Sequence, residues 1–159
     1  MTTSETIHST FTLERHYAAP PAAVFAAWAD PAVKARWFAG GGGEHELDFR
    51  VGGRERVLGR HDGKVLTFEA RYQDIVQGER IVSSSTLSSD DTLSTVSITT
   101  VEFVPDGDGT RLVLTEQGTY LDGHEQPAWR EQGTASQLDA LTAELDALTA
   151  ELDATRTAG

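Results

Sequence analysis

The sequence predicts an α+β domain, a curved antiparallel sheet of about seven strands wrapped around one long C-terminal helix. Three observations carry this. From residue 44 to residue 120 apolar and polar residues alternate in runs separated by short turn signals. Leu138, Leu141, Leu145, Leu148 and Leu152 then recur at helical spacing. Between the first strand and the rest lies an alanine-rich segment with two proline signals, which reads as two short helices.

In chain order, residues 1–9 are polar and are expected to be a flexible N-terminus, with one domain over 10–155 and a flexible end at 156–159. Residues 10–17 alternate, with Phe11, Leu13 and Tyr17 on one side of a strand. Pro20-Pro21 opens a helix whose Val24, Phe25 and Trp28 share a face. Asp30-Pro31 ends it and starts a second, with Val33 and Trp37. The glycines at 40–43 form a loop, which lies where a lid beside Trp37 and Phe38 would be. Leu47, Phe49 and Val51 alternate as a strand, closed by Gly52-Gly53. Asp62-Gly63, Gln77-Gly78, Asp90-Asp91 and the glycines of 106–109 punctuate the remaining strands. Short turns between consecutive strands make the sheet an antiparallel meander. The final helix begins near Pro127, has a weak spot at Gly133 and contains LDALTAE twice, at 138–144 and 145–151.

The formal net charge of −12 repels phosphate and anionic lipid heads, which argues against nucleic-acid and membrane partners. There is no cysteine, so no disulfide, thiol nucleophile or thiolate metal site is available. No apolar run approaches the ~20 residues of a membrane span, and the N-terminus lacks a signal core, so a cytoplasmic protein is expected. His16, His45, His61 and His124 are too scattered for a metal site, and no cofactor motif is present. The 106–109 segment lacks the later glutamate of a calcium loop. The glycines at 40–43 lack the lysine of a phosphate cradle.

The segments APPAAVFAAWADPAVKARWF (19–38), DFRVGG (48–53), FEARYQDIVQGERIV (68–82), VEFVPDGDGTRLVLTEQG (101–118) and LDGHEQPAWREQGT (121–134) carry a family resemblance. In this order the chain resembles the SRPBCC superfamily with the helix-grip fold, shared by START lipid-transfer domains and the birch-pollen allergen. It is most similar to the bacterial branch related to the C-terminal domain of the activator of the heat-shock chaperone ATPase. The resemblance implies a cavity for a small, largely hydrophobic ligand between sheet and C-terminal helix. Two departures stand out. Ser83, Ser84 and Ser85 replace aromatic residues common in relatives, which implies a roomier or more polar cavity. The duplicated LDALTAE extends the last helix, and its projecting part is a candidate for a weak homodimer contact, against the repulsion of its acidic flanks.

The residues assigned to the ligand site are Trp37, Phe38, Phe49, Phe68, Tyr72, Phe103, Tyr120 and Trp129. Phe68 and Tyr72 fall on one face of a strand, and the buried hydroxyl of Tyr72 needs a partner. Trp28 reads as packing between the short helices and the sheet. No catalytic signature is present. Arg54, Arg56, Glu69, Arg71 and Glu116 are the polar residues considered for the interior. The leading expectation is therefore a binding domain. The alternatives are a cyclase- or hydrolase-type enzyme using the same cavity, and a co-chaperone stimulating a chaperone ATPase, which rests on the family name alone.

Overall fold

The computed structural model describes residues 4–39 and 43–157, except for the side chains of 152–157. Of the glycine loop expected at 40–43, residues 40–42 fall outside the described residues. Seven strands and three helices follow in the order β1 (Thr6–Tyr17), α1 (Pro21–Ala29), α2 (Pro31–Trp37), β2 (Glu44–Leu47), β3 (Arg54–His61), β4 (Lys64–Val76), β5 (Arg80–Ser89), β6 (Thr92–Asp106), β7 (Gly109–Leu121) and α3 (Pro127–Thr157). The strands form one antiparallel sheet in the order β1-β7-β6-β5-β4-β3-β2. The meander thus runs from β2 to β7. β1 closes the far edge by pairing with β7, and α1 and α2 carry the chain from one edge of the sheet to the other.

Local chemistry sets the boundaries. Asp30 ends α1 and caps α2, its carboxylate accepting from the amides of Ala32 and Val33. Asp62 and Gly63 both have positive φ (51° and 76°), as a tight two-residue hairpin requires. β1 starts at Thr6 rather than at residue 10, since the polar stretch before Phe11 finds a full ladder along β7. The strand expected to run through Val51 stops at Leu47. Residues 48–53 instead fold back on themselves. The Gly53 amide donates to Arg50, Asp48 and Arg54 share a backbone bond, and Gly52 takes a φ of 84°. A Cβ at Gly53 would lie 2.1 Å from the Asp48 carbonyl oxygen, so only glycine fits there. Val51 is left exposed, and Phe49 turns into the core.

The core lies between the inner face of the sheet and the helices. Val24, Phe25, Leu112, Leu138 and Leu141 are essentially inaccessible to solvent. β7 alternates without a break, with Leu112, Leu114, Glu116, Gly118 and Tyr120 all inward. α3 is held by more than its leucines. The Tyr17 hydroxyl donates to the Leu138 carbonyl, Gln137 donates to the Phe38 carbonyl, and Arg36 pairs with Glu144. Leu148 is partly exposed, so the leucine seam loses its cover toward the helix end.

Candidate functional site

A cavity of about 270 Å³ lies between the sheet, α2 and the start of α3. Its walls are mainly apolar. β3 to β7 contribute Val57, Phe68, Ile81, Leu87, Val101 and Leu114, and the helices contribute Trp28, Trp37, Phe38 and Leu138. Such walls around a few placed polar groups are the usual make-up of a small-molecule site. All three tryptophans, Trp28, Trp37 and Trp129, line it.

Two ion clusters border the apolar space. The first centres on Glu55 of β3. Its Oε1 accepts from Lys34 Nζ at 2.7 Å and from the Tyr72 hydroxyl at 3.0 Å, and its Oε2 lies 2.8 Å from His45 Nε2, which places a ring hydrogen on that nitrogen. Lys34 Nζ also sits 3.2 Å from the Tyr72 oxygen and 4.4 Å from the Phe38 ring centre. The Lys34 and Glu55 side chains are each 3% exposed. Burial alone would raise the Glu55 carboxyl. The Lys34 charge and the bonds from His45, Lys34 and Tyr72 outweigh it and hold the group below the ordinary carboxylate range. Burial, and then the Glu55 charge, push the Tyr72 phenol far up.

The second cluster centres on Arg130 of α3. Its Nε donates to Glu116 Oε1 at 2.7 Å, one terminal nitrogen to Glu125 at 3.3 Å and the other to the Ser97 hydroxyl at 2.9 Å. Thr95 donates to Glu125 at 2.6 Å. Burial would lower the Arg130 guanidinium, but Glu116 and Glu125 more than offset it and keep the cation firmly charged. Two rings join the clusters. Phe38 lies against Lys34, Phe68 lies 5.6 Å from Phe38, and the Arg130 guanidinium carbon lies 5.9 Å from Phe68.

Trp37, Phe38, Phe68, Tyr72 and Trp129 of the predicted set line this cavity; Trp28 packs between Trp37 of α2 and Phe103 of the sheet, as expected, and lines the cavity as well. Phe49, Phe103 and Tyr120 do not. Phe49 packs between Phe25 and Tyr72, Phe103 against Phe25 and Trp28, and the Tyr120 ring stands over Gly118 in the core. Of the five polar candidates only Glu116 faces inward. Arg54, Arg56, Glu69 and Arg71 point out, and Arg56 pairs with Glu69 across the strands. Glu55, Lys34 and Arg130 were missed. A signal for Glu55 was present, because it shares strand parity with Val57, and the inward parity of Phe68 and Tyr72 already turned Glu69 and Arg71 outward. Of the three serines, Ser83 lines the cavity, Ser84 accepts from Gln73 and Ser85 pairs with Ser97 in the core. The described residues contain no cluster of metal-ligating side chains. No helix among them is long and apolar enough to cross a membrane.

Fold and cavity together define a helix-grip α+β protein of the SRPBCC superfamily. Within it, the chain belongs to the family described as Activator of Hsp90 ATPase homolog 1-like protein, whose model matches residues 18–146. A solved protein from Rhizobium loti is 46% identical, with a TM-score of 0.83 over 88% of this chain and 99% of that one. One from Rhizobium leguminosarum is 39% identical, with a TM-score of 0.87 over 91% and 99%. A third, from Chromobacterium violaceum, is 31% identical, with a TM-score of 0.70 over 86% and 96%. No curated protein matches the chain by sequence.

Proposed function

We propose that the protein binds a small, largely apolar molecule in the cavity between the sheet and α3. The observation that carries this reading is the cavity of about 270 Å³, walled by aromatic and aliphatic side chains and bordered by two polar clusters. The fold supports it, since proteins of this superfamily commonly bind hydrophobic ligands.

The state of the polar groups favours binding over proton-transfer chemistry. A general acid or base works best when it titrates near the working pH. Here Glu55 is held below its usual range, and Tyr72 and Arg130 are held above theirs. Each is locked in one protonation state near neutrality, which suits recognition and orientation. The chaperone-ATPase activation in the family's description belongs to the homolog it names, and no contact in this cavity argues for it.

Because all three tryptophans line the cavity, its occupancy is readable without a label. Titration with N-phenylnaphthylamine, a neutral apolar fluorophore, is expected to quench tryptophan emission and brighten the probe in one saturable phase. A linear, unsaturable response would count against an accessible cavity.

A further inference from the structure

The cavity is charged asymmetrically. Three carboxylates (Glu55, Glu116 and Glu125) line it against two cations, Lys34 and Arg130. At the first cluster Lys34 balances Glu55. At the second, Arg130 answers both Glu116 and Glu125, so the surplus negative charge lies there. Arg130 is the residue that would ordinarily be taken as a receptor for a ligand carboxylate. Its guanidinium is already engaged by two carboxylates and by Ser97.

Glu116 is 4% exposed and lines the cavity, and its described hydrogen bond uses only Oε1. Oε2 therefore has acceptor capacity left. The indole nitrogen of Trp28 has no hydrogen-bond partner among the described residues, but it is itself buried, so Glu116 is the polar group the ligand class is read from.

We propose that the cavity selects an uncharged or cationic ligand, a ring-containing apolar body whose hydroxyl or amine donates to Glu116, and rejects the corresponding carboxylate. This rests on the reading of the cavity as a ligand site and names the ligand class for it. Phe38 and Phe68 offer ring surfaces for the body. A carboxylate entering the same place would meet Glu116 and Glu125 in a low-dielectric space, where like charges repel most strongly.

The test is a calorimetric titration at pH 7 and low salt with naphthylmethylamine, naphthylmethanol and naphthoate, which share a body and differ in the head group. The amine and the alcohol are expected to bind at least about tenfold more tightly than the acid. In Glu116→Gln the amine is expected to lose about tenfold and the acid to gain. Tightest binding by naphthoate overturns the proposal, and so does an unchanged amine-to-acid affinity ratio in the variant. If Glu116→Gln does not fold, the order on the unaltered protein decides alone. If none of the three binds while N-phenylnaphthylamine does, the ligand class is wrong and the cavity reading stands. If the fluorophore also fails to bind, both fall.

Discussion

Glu55 holds three side chains at once, and its surroundings decide what each can do. A buried carboxylate is tolerable only when paired, and removal of one partner leaves the other charge uncompensated. Glu55→Gln strands the Lys34 ammonium among Trp28, Phe38 and Tyr72. It is expected to cost about 3–5 kcal/mol in chemical denaturation. The pH dependence has a definite sign. The folded-state carboxyl lies below its unfolded value, so its contribution is present above ~4.3 and is lost as the pH falls toward the folded value. Glu55→Gln should lack that acid limb, and an unchanged limb would show that other carboxylates produce it. The tyrosines test burial from the alkaline side. Tyr17 and Tyr120 are pushed up to about 12, chiefly by burial, and Tyr72 higher still. Absorbance titration of the native protein should show no phenolate at pH ~10, where unfolded tyrosines are half ionised. Folding favours the neutral phenols, so their contribution is complete below ~10 and is lost as the pH rises through 12.

At the scale of elements, α3 is two helices in energetic terms. Leu138, Leu141 and Leu145 are buried, whereas Leu148 is partly exposed. Leu141→Ala is expected to destabilise by about 2–5 kcal/mol, and Leu148→Ala by much less than 2 kcal/mol. Equal effects in urea unfolding would mean that the far end of the helix is covered in solution. The same element shows how far the sequence could be read. The start at Pro127 and the leucine face are periodic features, visible without a structure. Arg130 was not visible as a site residue, because its partners Glu116 and Ser97 come from two different strands and only the folded sheet brings them under the helix. β2 failed for a local reason. Phe49 and Val51 alternate as a strand would, but the amide and carbonyl bonds of residues 48–54 close a turn there. Parity would have separated Glu55 from Arg54 and Arg56 once one inward residue of β3 was fixed.

At the scale of the molecule, the sheet order explains why a cavity exists. β1 and β2 are consecutive in sequence yet lie at opposite edges of the sheet, so α1 and α2 must span it. α3 then crosses the inner face, packing on α1, α2 and β1, while its first turns wall the cavity through Trp129, Arg130 and Leu138. The space left between the strands, α2 and the start of α3 is the cavity. The sequence made the fold legible because strand alternation and helix spacing are local. The charge balance of the cavity is a property of the assembled sheet.

The most direct test of the central claim is thermal unfolding with and without N-phenylnaphthylamine, in the unaltered protein and in Ser83→Phe, whose added ring fills part of the cavity beside Tyr72. At ~100 times the dissociation constant, a single site should add about 2.7 kcal/mol, a rise of a few degrees for a chain of this size. The account predicts that rise in the unaltered protein and its loss in a folded Ser83→Phe. An equal rise in both proteins, or none in either, would contradict it.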